Sequence, residues 1–197
     1  MDKTPFTLSA KQKVRRVGKR GSSRKSQSSL PDDVHITVVT TISTSDAVVP
    51  PFIIYPGENL LEEWLEVRDP KPYQVATATT SGYTNSYMHK RWSIDCFDRY
   101  TKERAEGRRR LLFLDGLDAH LTIDFLETAW ELNIVCVCLP AHMSSTFQPL
   151  DVNFFSHLKR RYNRLVSDWA LETSYERAPK GLFYRWHQRA WIETATS

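Results

Sequence analysis

Apolar and β-branched residues crowd Val34 to Ile42 (VHITVVTTI) and return over Val48 to Tyr55 (VVPPFIIY), with Thr44-Ser45-Asp46-Ala47 between them. Two such runs separated by turn residues predict an antiparallel hairpin. Pro50 and Pro51 have no N–H to give a ladder, so the second strand is expected to start late or lie at an edge. A weaker strand follows at Tyr73 to Ala78. The period then lengthens. Between Thr84 and about Glu106, Tyr87, Trp92, Ile94, Phe97 and Tyr100 recur at roughly helical spacing. Leu111-Leu112-Phe113-Leu114 is an unbroken apolar run, as in a strand covered on both faces. Leu121 to Leu132 reads as a helix and Ile134 to Leu139 as another buried strand, which together make a right-handed parallel crossover. Val152, Phe155, Leu158, Tyr162, Leu165, Val166 and Trp169 then keep helical spacing for about five turns. Arg177-Ala178-Pro179-Lys180-Gly181 interrupts the pattern, and an aromatic helix resumes from Leu182 to Thr194.

Composition sharpens this picture at one end. The chain is 41% hydrophobic and 25% charged, which argues against global disorder. It has no apolar run near the roughly 18 residues of a membrane helix and no signal-peptide pattern, so a soluble, intracellular protein is expected. The net charge of +4 is unevenly spread. Lys11, Lys13, Arg15, Arg16, Lys19, Arg20, Arg24 and Lys25 put +8 into residues 11–25 with no acid among them. Asp2 and Lys3 cancel, leaving −4 for residues 26–197. A Ser-rich stretch follows, up to Leu30-Pro31-Asp32-Asp33, and reads as a flexible loop. A basic arm on a mildly acidic body suits a phosphate backbone, whose neutralisation releases counterions. A solvated loop or a nuclear-import signal would have the same composition.

Chemistry-bearing residues are few. Asp115 ends a predicted buried strand, the end at which open α/β sheets bind ligands; alone, it also reads as a turn aspartate before Gly116. Asp151 opens the long amphipathic helix, where an aspartate is equally at home as an N-cap. Asp2 has no meaning in isolation. Cys136 and Cys138 alternate along one strand, so they share a face and read as small core residues rather than a metal pair. The three cysteines have no disulfide-framework spacing. The order of elements is an antiparallel group, a helix, and then parallel strands alternating with helices, the plan of ribonuclease H-like domains.

Taken together, the segments resemble the DDE superfamily endonuclease domain of pogo/Tigger/jerky-type transposases. Met1-Asp2-Lys3-Thr4-Pro5-Phe6 resembles the first motif, and Pro50-Pro51-Phe52-Ile53-Ile54-Tyr55-Pro56-Gly57 its hairpin strand. Ser81-Gly82-Tyr83 is similar to the entry of its first helix. The run from Leu111 to His120 (LLFLDGLDAH) resembles the segment with the second catalytic Asp, and Leu139 to Val152 (LPAHMSSTFQPLDV) the one with the third. The 35 residues between Asp115 and Asp151 fit that family's spacing. The resemblance implies a ribonuclease H-like mixed sheet flanked by helices, and DNA cleavage and strand transfer at Asp2, Asp115 and Asp151. Two Mg²⁺ or Mn²⁺ ions about 3.5–4 Å apart would stabilise the attacking and leaving oxygens of an in-line displacement. Asp115 would bridge the ions, and Asp2 and Asp151 would each hold one. The implied partners are transposon ends and target DNA, met by Lys11, Lys13, Arg15, Arg16, Lys19 and Arg20 of the arm and by Lys159, Arg160, Arg161 and Arg164 of the long helix. His120 and His142 are auxiliary candidates, as phosphate-positioning or structural histidines. The implied compartment is the nucleus, and a homo-oligomer stays open.

The resemblance also divides the chain. Residues 1–10 begin the catalytic core with the first Asp, 11–33 form the basic, Ser-rich loop, 34–172 the core, and 173–197 an incomplete C-terminal helix, a core expected to be cut short at both ends. Lys3 stands beside Asp2 where the family usually has an acid, Leu117, Asp118 and Ala119 replace its H-x-S, and Ser145 stands at a common His. Two classes of function follow: an active metal-dependent transposase core, or a non-catalytic remnant that associates with DNA or chromatin.

Overall fold

The computed structural model describes residues 1–9, 34–44, 49–65, 74–114, 122–140, 148–173 and 178–195. Four strands form one sheet in the order β1 (Asp2–Thr7), β2 (His35–Thr40), β3 (Phe52–Pro56), β4 (Val75–Thr79). β1–β2 and β2–β3 are antiparallel and β3–β4 parallel. β3 starts only at Phe52, directly after the two prolines, as their missing donors require. β5 (Arg110–Leu114) and β6 (Ile134–Cys138) pair in parallel. Between them runs α3 (Ile123–Glu131), capped by the Thr122 hydroxyl accepting from the Phe125 N–H. The pair meets the larger sheet at the start of β1, where the Met1 ammonium donates to the Phe113 carbonyl at 2.9 Å. This is the expected α/β, ribonuclease H-like arrangement of a mixed sheet with helices on both faces.

Strand alternation sorts the core into two layers. Phe6, Leu8, Ile36, Val38, Ile53 and Tyr55 face α4 (Phe155–Glu172) and α5 (Lys180–Ala195). Val39, Phe52, Ile54, Leu112 and Leu114 face α1 (Ser86–Trp92), the π-helical turn Ser93–Asp98 and α3. Gly82 sets the approach to α1. Its φ is +71°, and a Cβ there would lie 2.6 Å from the His35 carbonyl oxygen. After the π turn the helix continues as α2 (Arg99–Ala105). That turn widens the repeat, so the inward residues are Met88, His89, Trp92, Ser93, Cys96 and Phe97. Tyr87 and Ile94, expected on the same side as Trp92, are exposed.

Two further expectations fail for one reason. Leu111 and Phe113 were expected to be covered, yet they are 61% and 51% exposed. Cys136 is only half-buried and Cys138 exposed. Among the described residues, helix covers one face of the β5–β6 pair; α4 and α5 pack on the larger sheet instead. Arg110 anchors the start of β5 through a 2.7 Å pair with Asp98 and bonds to Thr101 and the Leu132 carbonyl.

Candidate metal centre

Asp2 lies on β1 opposite Thr40, half-buried, and alternates with Thr4, Phe6 and Leu8, so it belongs to the face that α4 covers. α4 is held there by two contacts. The Phe6 and Tyr162 rings meet edge to face at 4.9 Å, and the Tyr162 hydroxyl donates to the Thr7 carbonyl at 3.0 Å. The helix that carries Asp151 at its start is thereby fixed over the strand that carries Asp2.

The start of β1 is also where the other two motifs meet. Besides the bond to Phe113, one residue before Leu114, Met1 accepts a 3.1 Å hydrogen bond at its carbonyl from the Gln148 side-chain amide. Gln148 is 2% exposed and lies three residues before Asp151. It works as a positioning residue that ties the third motif to the first strand. The sequence shows this glutamine within the motif but offers no partner for it, because the partner is a backbone atom 147 residues away.

Asp151 is not an N-cap. A π-helical turn, Leu150–Phe154, precedes α4, with Pro149 at the cap position and no side-chain capping bond; Asp151 sits inside the first turn. There its charge is favourable to the helix dipole. Its carboxylate is exposed and accepts no hydrogen bond from a described residue. Asp2 Oδ1 accepts from the Lys3 N–H at 2.7 Å. Burial pushes the Met1 ammonium down to about 6, partly offset by the neighbouring Asp2 charge. Alternation puts the Lys3 side chain on the opposite face, where its Nζ donates to Thr84 Oγ1 at 3.3 Å.

Asp115, Asp118, His120 and His142 lie outside the described residues, as does the whole arm with Lys11, Lys13, Arg15, Arg16, Lys19 and Arg20. Among the described residues no three His, Cys, Asp or Glu side chains gather as a metal site. The donors that are described, Asp2 and Asp151, offer the hard carboxylate oxygens that Mg²⁺ and Mn²⁺ prefer. The basic run on α4 divides. Arg160 and Arg164, one turn apart, are exposed to solvent. Arg161 turns onto α5, 3.8 Å from Glu193 and 3.3 Å from the Thr194 hydroxyl, and Lys159 lies over the Phe6 ring at 6.0 Å.

The first strand, the fifth strand and the entry to α4 meet at one point of the sheet, and the fold class is ribonuclease H-like. Sequence comparison narrows this: the family model described as DDE superfamily endonuclease matches residues 33–197, and the chain belongs to that family. Asp115 and Asp151 lie within the match; Asp2 and the arm precede it. The chain is also 33% identical over 131 residues, 66% of its length, to the "MFS-type transporter clz9" of Cochliobolus lunatus. It spans 14% of that relative. No described helix is long and apolar enough to cross a membrane. No solved structure matches the chain.

Proposed function

We propose that the chain is the catalytic core of a pogo/Tigger/jerky-type transposase, cutting and joining DNA in the nucleus with Mg²⁺ or Mn²⁺ held by Asp2, Asp115 and Asp151. What carries this reading is the double tether of Met1, to Phe113 just before the second motif aspartate and to Gln148 just before the third. Nothing local in the sequence brings residues 1, 113 and 148 together, and each lies within three residues of a motif aspartate. The bound ions would supply charge stabilisation for the attacking and leaving oxygens and lower the pKa of the attacking water. Asp151 is exposed and has no partner among the described residues, which suits a carboxylate that takes a cation. Asp2 is held on its strand by the ladder with β2, where it lies opposite Thr40, and a ligand on a rigid strand is placed before a metal arrives. Arg160 and Arg164 follow Asp151 along α4 and suit phosphates flanking the cut site. The transport named in the fungal relative belongs to that protein and is not carried over to this chain.

The test is strand scission. Supercoiled plasmid incubated with the protein and Mn²⁺ should become nicked, EDTA should stop the reaction, and Asp115→Asn should reduce it at least a hundredfold. Nicking that survives Asp115→Asn refutes the catalytic assignment. DNA binding without nicking, in the wild type, supports the non-catalytic remnant instead.

A further inference from the structure

Thr40 closes β2 and lies opposite Asp2 in the β1–β2 ladder. Directly opposite residues of an antiparallel pair send their side chains to the same face. Here that face carries Phe6, Ile36 and Val38 and packs against α4. Thr40 is 0% exposed, and its hydroxyl has no hydrogen-bond partner among the described residues. Its apolar neighbours on that face offer none. Val38 stands two residues back along β2, and the β2–β3 register, with Val39 opposite Phe52, runs on to Pro51. The polar group directly opposite is the Asp2 carboxylate, whose Oδ1 accepts from the Lys3 N–H. A buried hydroxyl left unpaired costs free energy, and valine would fill the same space without that cost. Thr41, next in the chain, is also buried with an unpaired hydroxyl, but alternation turns it to the other face.

We infer that Thr40 is a positioning residue for the metal centre: its hydroxyl donates to the Asp2 carboxylate when Asp2 holds a divalent cation, and so fixes the orientation of that ligand. The inference rests on the metal-binding reading of Asp2. Opposite Cβ atoms lie about 4.5–5.5 Å apart, and a turn about χ1 of either residue brings hydroxyl and carboxylate within reach. A carboxylate that gives one lone pair to a cation keeps others for a donor beside it. Burial strengthens that bond, because the local dielectric is low. Removing such a partner of a ligand typically weakens metal binding about ten- to a hundredfold. The two effects of Thr40 have opposite signs. Its unpaired hydroxyl lowers the stability of the metal-free fold, and the bond it makes in the metal-bound fold raises the affinity for the cation.

Thermal unfolding in EDTA and through a Mn²⁺ titration tests this, with the wild type, Thr40→Val, Thr40→Ser and Thr41→Val compared. In EDTA Thr40→Val should melt at or above the wild type, since it removes the unpaired hydroxyl and keeps the shape. The same variant should need at least about tenfold more Mn²⁺ for an equal rise in melting temperature. Thr40→Ser keeps the donor and should titrate close to the wild type, while melting lower in EDTA for its lost methyl. Thr41→Val should leave the titration unmoved. A threonine that only packs predicts the reverse for Thr40→Val, a lower melting temperature in EDTA or an unshifted titration, and either result overturns the inference. So does an equal shift in Thr41→Val, which would assign the effect to the strand rather than to the hydroxyl facing Asp2. A wild type without a Mn²⁺ response overturns the metal reading and this inference with it. A responding wild type beside an unshifted Thr40→Val overturns this inference alone.

Discussion

His187 should make the fold acid-sensitive in a window that carboxylates alone do not explain. Its ring stacks near Phe183 at 5.4 Å and Trp191 at 6.2 Å and meets Phe6 edge-on at 5.3 Å. The Gln74 amide donates to the Tyr184 carbonyl, which turns its oxygen toward His187 Nδ1 at 2.8 Å. Nδ1 must then carry the proton, and Nε2 is a bare lone pair with no partner among the described residues. Protonating it would bury a charge among aromatic rings, and burial alone pushes this histidine down to about 3. A folded-state value below the unfolded one, about 6.5, means that the unfolded chain binds the extra proton. The stabilisation is fully present above pH 6.5 and is lost as pH falls toward 3, at about 1.4 kcal/mol per unit. By pH 4.5 the loss reaches roughly 3 kcal/mol, or on the order of 6–12 °C in melting temperature for a chain of this size. His187→Phe keeps the aromatic stack but leaves the Gln74 oxygen without a donor, so it should be less stable at pH 7.5 by about 1–3 kcal/mol. Urea unfolding of both proteins from pH 7.5 to 4.5 isolates the effect, because the carboxylates are common to both. The wild-type curve should fall more steeply, with the gap between the two narrowing or reversing by pH 4.5. Parallel curves would refute the account of His187.

Tyr162→Phe removes only the bond to the Thr7 carbonyl and should cost about 1 kcal/mol in urea unfolding, with an unchanged m-value. Gln148→Leu leaves the Met1 carbonyl unpaired and should cost about 1–3 kcal/mol, and its loss of Mn²⁺-dependent nicking should exceed that of Tyr162→Phe. Neutralising Arg15, Arg16, Lys19 and Arg20 should weaken duplex binding for all sequences alike and flatten the dependence of log K on log salt by up to about four contacts' worth. Unchanged binding at low and moderate salt would assign the arm to a loop.

Most of the strand inventory was legible because β-branched runs and prolines act locally. His35–Thr40 and Ile134–Cys138 fall within the segments read from pattern, and Phe52–Pro56 and Arg110–Leu114 each run one residue beyond theirs, with the expected antiparallel and parallel pairings. What was not legible depends on partners distant in the chain. Leu111 and Phe113 read as covered because an apolar run signals a strand but not how many helices reach it. The phase of the first helix slipped at Ser93–Asp98, since a π turn changes the repeat from within. Asp151 read equally as a cap, and only the backbone geometry at Pro149 separates the two. The Gln148–Met1 and Gln74–His187 bonds join residues more than a hundred positions apart, and no spacing rule reaches them. The motif resemblance supplied the aspartates as a set where local reading gave three unrelated acids.

The central claim is that Asp2, Asp115 and Asp151 hold a divalent cation together, and metal-dependent stability tests it most directly. A ligand that binds only the folded state raises stability by RT ln(1 + [L]/Kd), about 2.7 kcal/mol at a hundredfold excess over Kd. Thermal unfolding is to be followed while Mg²⁺ or Mn²⁺ is titrated into the wild type, Asp115→Asn and Asp118→Asn. Asp118 is the control, an equal acid three residues along the chain. The account predicts a saturable rise in melting temperature in the wild type and in Asp118→Asn, and none in Asp115→Asn. A rise that persists in Asp115→Asn, or its absence from the wild type, would contradict it.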